Sequence, residues 1–269
     1  MNSQKTITQT PVTIHVPSSS PLMKQALEHI NNNVEVKTLW KVINVNAIDR
    51  LGMSDHGAVH FQIVANIGIK LLRMLHKNGH QTSIEKDFEL TFKHAELVVL
   101  LGCLLHDLGM SIDRQNHEEY SLFLADKIMN TVLSFMPDEE RVIIASEVLH
   151  SIISHRSGGK PVTIEAGIVR VADALDMSQG RSRIPYESGK INIHSLSAYA
   201  IDGIEIHEGE KKPIRIEIIM NNSSGIFQVD ELLKSKLKNS GIEEFFEIHA
   251  YIKNNEEKLL LKEFVLSKI

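Results

Sequence analysis

The run ELVVLLGCLL at residues 96–105, continued by His106-Asp107-Leu108-Gly109, decides how this chain is read. A stretch that is apolar on nearly every side belongs on a helix set inside a core. A histidine and an aspartate close it. Two such side chains are costly to bury unless something pairs with them, and for an adjacent His and Asp a divalent metal ion is the usual partner. The dipeptide is short, but the rest of the chain supplies companions: His60 before it, and His117, His150, His155 and Asp173 after it. Each sits in a helix-like segment or at the edge of one.

Composition limits what such a site can serve. At 269 residues there is room for one large domain or two small ones. Aromatic residues are 5% of the chain, so the core must rest on Ile, Leu and Val. The net charge of -5 argues against a primary nucleic-acid binder, which carries a basic patch. A small anionic substrate remains compatible, because a metal supplies local positive charge. The single cysteine, Cys103, cannot form an internal disulfide; this suits a reducing compartment, and Cys103 reads as a small core residue. Residues 1–20 show no signal-peptide pattern. The apolar run Leu97–Leu105 falls far short of the roughly 20 residues that span a bilayer. No membrane association and a cytoplasmic location are therefore expected.

The pattern divides the chain into a polar tail over 1–20, with a short strand at Val12–Val16, a helical domain over 21–185 and an α+β module over 186–269. Within the helical part, Ile63, Ile67, Leu71, Met74 and Leu75 recur at helical spacing and predict an inner face. So do Leu122, Ala125, Ile128, Met129 and Val132, and then Val142, Ala145, Leu149 and Ile152 after the Pro137-Asp138 start signal. Thr163 reads as the N-cap of a helix over 164–177. After Pro185 the period changes. Ile204–His207, Pro213–Ile218, Phe246–Ile252 and Leu259–Leu266 read as strands, and Gln228–Asn239 as a helix closed by Ser240-Gly241. The expected fold is mainly α, a helical bundle followed by a small ββαββ module. All histidines except His194, His207 and His249 precede Pro185, which places the chemistry in the bundle.

The donor set is imidazole and carboxylate, suited to Mn, Fe, Co, Ni, Zn or Mg. Without a cysteine among the donors, a structural zinc site is disfavoured. Asp173 lies in Val171-Ala-Asp-Ala-Leu175, an aspartate flanked by apolar residues, and needs a partner if buried. Asp176 stands about 60° further round the same helix and could accept a hydrogen bond from a ligand histidine.

In the order His60, His106-Asp107, Asp173, the motifs H-x-x-x-V-A, LLHDLG and VADALD resemble those of the HD superfamily of metal-dependent phosphohydrolases. The resemblance covers residues 50–183. It implies an HD-type helical bundle, one or two divalent metal ions and hydrolysis of a phosphoester or phosphoanhydride, with a nucleotide as substrate. His117, in NHEEYSLFLADKI, and His155, in SHRSGG, resemble the extra histidines of the two-metal branch. The implied ligands are His60, His106, Asp107, His117, His155 and Asp173, with Asp107 catalytic and bridging. The chain departs from the family in two places. A lysine common soon after the HD pair is replaced by Gly109-Met110-Ser111, and no GYP motif is present.

Further residues join the site by position. His150 and His155 stand about 140° apart on one helix and cannot project the same way. His155 is preferred as ligand, and His150 is kept as a catalytic residue reached if the helix bends. His56 shares a face with His60 at i, i+4 spacing and is assigned to catalysis on the substrate side. Arg50, Arg114, Arg156, Arg181 and Arg183 lie near the motifs, and a guanidinium fork matches phosphate oxygens. His76, His80, His94 and His194 read as ordinary. Two rival functions use the same scaffold: a diiron oxygenase, separable by metal identity and oxygen consumption, and a nucleotide-sensing binding protein whose C-terminal module passes a signal or forms a homodimer.

Overall fold

From His94 to Leu105, every residue of the helix that carries the apolar run is buried. The structure is a computed structural model that describes residues 12–17, 20–177, 193–253, 257 and 259. In chain order its helices are α1 (Pro21–Asn32), α2 (Val34–Asn44), which runs on as a π-helical turn to Arg50, α3 (Ala58–Lys77), α4 (Ser83–Phe88), α5 (Phe92–Leu105), α6 (His117–Val132), α7 (Asp138–Ser154) and α8 (Ile164–Leu175). The expected mainly-α bundle is present, with α3, α7 and α8 packed around α5. A methyl group at Gly68 of α3 would lie 2.9 Å from Cys103 Sγ and 3.0 Å from Val99 Cγ1. Glycine there lets α3 approach α5 closely.

Two predicted faces are corrected. On α3 the buried residues include Phe61, Val64, Ala65, Ile69, Leu71, Leu72 and Leu75, while Ile63 is 38% exposed. On α7 the inner face is Ile144, Val148, Ser151 and Ile152, and Val142 is 61% exposed. Both helices carry apolar residues around much of their circumference. Spacing then fits more than one stripe, and packing against α5 chooses between them.

The segment over 12–17 is not a strand, yet Ile14 and Val16 are buried. Asn31 of α1 satisfies the backbone of Ile14 on both sides, its Oδ1 accepting from the N–H (2.8 Å) and its Nδ2 donating to the carbonyl (3.0 Å). A side-chain amide thus stands in for a paired strand. By length and composition, α3 and the stretch Phe92–Ser111 could each cross a membrane, a property the nine-residue apolar run did not reveal. In the bundle 94% of the second is buried, so its apolarity is accounted for by the core.

Pro185 and the change of period around it lie outside the described residues, as do Arg181 and Arg183 and nearly all of the predicted strand Leu259–Leu266. Beyond them come α9 (Ile193–Tyr199), which the sequence pattern did not reveal, and strands β1 (Ile201–Glu208), β2 (Ile214–Met220) and β3 (Phe246–Ile252). β1 pairs antiparallel with β2, and β2 pairs parallel with β3. A parallel neighbour needs a crossover, and the predicted helix supplies it, wound as a π-helix over Gln228–Leu233 and continuing as α10 (Lys234–Lys238). Ile214, Ile216 and Ile218 of β2 are buried at strand period. The module is anchored to the bundle. Lys70 of α3 donates to the carbonyl of Ile206 (2.7 Å), and Arg170 of α8 donates to that of Lys236 (2.8 Å).

Candidate metal centre

Five helix ends converge on one point. His60 lies in the first turn of α3, whose start is held by Asp55: its Oδ1 accepts from the N–H of Gly57 (3.0 Å) and of His60 (3.3 Å). His106 and Asp107 follow the last turn of α5, His117 opens α6, His155 caps the end of α7, and Asp173 is near the end of α8. Gly109 brings α6 in. A methyl group on it would sit 2.0 Å from the His117 carbonyl oxygen. The Gly109 N–H donates to Ser121 Oγ (2.8 Å), and that hydroxyl donates to the same carbonyl (2.8 Å).

The hydrogen bonds at the backs of the rings decide what faces the centre. His60 Nδ1 is bound to Asp176 Oδ2 (2.6 Å), His106 Nδ1 to the Cys103 carbonyl (2.9 Å) and His155 Nδ1 to the Ile152 carbonyl (2.6 Å). His117 Nδ1 faces the Arg114 carbonyl (2.9 Å) and the Glu118 carboxylate (3.2 Å), two acceptors against one donor, Arg114 Nη1 at 3.0 Å. Acceptors at Nδ1 hold the proton there and leave the Nε2 lone pair free for a metal.

Those Nε2 atoms turn toward one another and toward carboxylates. His60 Nε2 and His106 Nε2 are 3.3 Å apart, and each is 3.6 Å from Asp173 Oδ1. Asp107 reaches both ways: Oδ2 lies 3.7 Å from His106 Nε2, and Oδ1 lies 3.0 Å from His117 Nε2 and 3.4 Å from His155 Nε2. Asp107 Oδ1 is buried and lacks an aligned hydrogen bond. Acceptors gathered around acceptors need a cation between them. The donors fit a divalent ion: His60, His106 and Asp173 form one group able to hold it, and His106, Asp107 and His155 another, with His117, Glu118 and His155 beside them.

The charges respond to this crowding. Burial works against ionised His106, but the Asp107 and Asp173 carboxylates outweigh it and raise its pKa above the ordinary value. Burial likewise opposes charge on His117, and its contact with Asp107 raises its pKa. For His155 burial prevails and lowers the pKa. Burial would push the Asp107 carboxyl up, yet His106, His117 and His155 hold it well below the usual range. Asp173 is held down in the same way against its burial, first by Lys236 and then by His106. A metal must displace the protons of His106 and His117, so metal affinity is expected to fall as pH drops. Because both pKa values lie above the ordinary histidine value, the loss should begin at a higher pH than for unperturbed histidines. Calorimetric titration with zinc at several pH values should show this, together with proton release on binding. An affinity unchanged between about pH 6 and about pH 8 would contradict the charge assignment.

Other predicted residues divide. His56 is not on α3; it precedes the N-cap, with its Nδ1 at the Ser54 carbonyl (2.8 Å), but its ring stands 5.6 Å from that of His60 and lines a cavity that Asp107, His117, His155 and Asp173 also line. His150 is corrected. Its Nε2 accepts from the Val162 N–H (3.1 Å), so the ring serves the loop after α7, away from the cluster, because Ser151, Ile152 and His155 occupy the inward face. Arg114 lines the cavity. Arg50 turns to Asn46 (2.7 Å) and Arg156 to Glu119 (2.8 Å), so neither is on the cavity wall. His194, read as ordinary, lines the wall. Cys103 is fully buried, and burial pushes its thiol pKa up, which leaves it inert.

Two residues escaped the sequence reading. Arg170 is wholly buried on α8 and donates to the carbonyls of Ser154 (3.1 Å), His155 (3.3 Å), Arg156 and Ser157 (3.2 Å), fixing the loop that carries His155. Its signal was the same as that of Asp173, a charge among apolar neighbours in Ile-Val-Arg-Val. Lys236 comes from α10 and lies 3.4 Å from Asp173 Oδ2. No local pattern announces a contact across that distance in sequence.

Comparisons with known proteins agree with this geometry. Residues 58–178 match the model of the HD domain. The chain is 41% identical over 244 residues to an uncharacterized protein, MJ1020, of Methanocaldococcus jannaschii, covering 90% of this chain and 93% of that one. It is 27% identical over 155 residues to Ribonuclease Y of Geotalea uraniireducens, covering 55% of this chain and 27% of the ribonuclease. No solved structure matches. With the HD motif on converging helix ends, the chain belongs to the HD domain family through residues 58–178.

Proposed function

We propose that this protein is a two-metal phosphohydrolase that cleaves a phosphoester or phosphoanhydride bond of a small nucleotide. One observation carries the reading: Asp107 directs its two oxygens to different histidines, Oδ2 to His106 and Oδ1 to His117 and His155. A carboxylate can bridge two ions in this way, whereas an imidazole offers one free nitrogen. His60, His106 and Asp173 would hold one ion, and His117 and His155 the other. When bound, such ions lower the pKa of water and neutralise phosphoryl charge. Asp176 and the backbone carbonyls orient the imidazoles, and Arg170 keeps the His155 loop in place. The cavity over the cluster measures about 660 Å³ and includes His56, Asp107, His117, His155, Asp173 and Arg114 on its walls. That volume is ordinary for a small-molecule site. The name of the distant relative, Ribonuclease Y, brings the RNA phosphodiester into the class to be tested.

The test is to strip the protein of metal and reload it with Mn, Fe, Co, Ni, Zn or Mg in turn. Each form is then offered nucleoside mono-, di- and triphosphates, dinucleotides, cyclic dinucleotides and short oligoribonucleotides. Metal-dependent hydrolysis of one class, absent from His106→Ala, is the expected result. Failure with every metal and class sinks the proposal, and oxygen uptake by the iron form would replace it with the oxygenase reading.

A further inference from the structure

Lys236 places a half-buried cation on the cavity wall beside the metal-ligand cluster. Its side chain is 21% exposed, and few lysines are buried to this extent without a task or a partner. Its ammonium lies beside Asp173 Oδ2 and donates to the His155 carbonyl. Asp173 is shared: Oδ1 turns to His60 and His106, and Oδ2 to the lysine. The backbone of Lys236 is also fixed, because Arg170 Nε donates to its carbonyl from within the bundle. Gln228, Leu232, Ser235 and Lys236 all line the cavity. Their spacing of four, seven and eight residues is that of one helix face. The α+β module therefore forms a wall of the site, and Lys236 is the cation on it.

We propose that Lys236 is a substrate-binding residue whose ammonium pairs with a phosphate group in the cavity, so that the C-terminal module completes the site built by the bundle. The inference rests on the phosphohydrolase reading for its substrate class. A charge-bearing group reaches the metal-ligand cluster from a different part of the chain. An ammonium is a compact charge with three donors, so it can hold a phosphate oxygen while keeping a contact to Asp173.

The experiment measures binding of inorganic tripolyphosphate to the metal-loaded protein by calorimetry, alongside metal content and steady-state hydrolysis. Lys236→Met should weaken tripolyphosphate binding by roughly 10- to 100-fold with metal content retained. KM should rise by a similar factor, and Lys236→Arg should restore part of the loss. Ser235→Glu is the second variant: the residue is exposed, so folding is not at stake, and an added carboxylate on the wall should also weaken binding. If Lys236→Met keeps its metal and binds tripolyphosphate like the wild type, the inference is wrong whatever Ser235→Glu does and even where hydrolysis is normal. Loss of metal from Lys236→Met with no rescue by arginine would reduce the lysine to a counter-ion for Asp173. If the wild type binds tripolyphosphate through Lys236 but hydrolyses nothing, the inference stands and the hydrolase reading falls. A wild type that binds no tripolyphosphate overturns the inference.

Discussion

Asp107→Ala is expected to lower turnover by at least about a hundredfold and to strip metal from the protein. The expectation follows from the two directions in which this carboxylate points. Its Oδ2 lies beside His106, and its Oδ1 beside His117 and His155. Removing it takes the shared carboxylate from both groups, leaving Asp173 as the one carboxylate beside His60 and His106. Asp107→Asn separates this cause from a packing defect. The amide keeps the shape and one carbonyl oxygen but not the charge, so it should fold like the wild type and still lose metal. Elemental analysis showing wild-type metal in both variants would remove Asp107 from the ligand set.

The second large effect distinguishes one ion from two. His117→Ala and His155→Ala should each release roughly one ion, leave the group of His60, His106 and Asp173 filled, and cut activity sharply, since a second ion stabilises charge on the transferring group. His150→Ala should cost far less. Its ring holds the Val162 N–H in the loop after α7, so the expected change is a small loss of stability, about 1 kcal/mol for one hydrogen bond. Full metal content and near-normal turnover in both His117→Ala and His155→Ala would make the centre a one-metal site. Equal losses for His150→Ala and His155→Ala would show that the helix-face argument had been misapplied.

What the sequence determined on its own was local. The apolar run over 96–105 had to be a buried helix, because no face of it suits water. A histidine and an aspartate at its end had to find company, and periodicity limited the candidates to residues near other helix ends. The resemblance to the HD superfamily picked His60, His117, His155 and Asp173 from those candidates, the structure brings them together with His106 and Asp107, and Asp176 could be anticipated as an acceptor for a ligand histidine from its position on the same helix as Asp173. The separation of His155 from His150 was legible as well, being simple rotation about a helix axis.

What only the tertiary structure decided depends on distances that spacing does not encode. The buried stripes of α3 and α7 were legible only in part: Leu71, Leu75 and Ile152 are buried while Ile63 and Val142 are exposed, because a helix apolar around much of its circumference lets its neighbours choose the face. The arginines near the motifs looked equivalent, but Arg50 and Arg156 found acceptors nearby while Arg114 reached the cavity. Lys236 sits in an ordinary lysine-rich turn and becomes part of the site only because β2 and β3 are parallel neighbours, so the crossover between them lays α10 along α8. A chain can state which side chains need partners. Which distant side chain meets that need is set when the elements pack, since burial and Coulomb attraction act through space and not along the sequence.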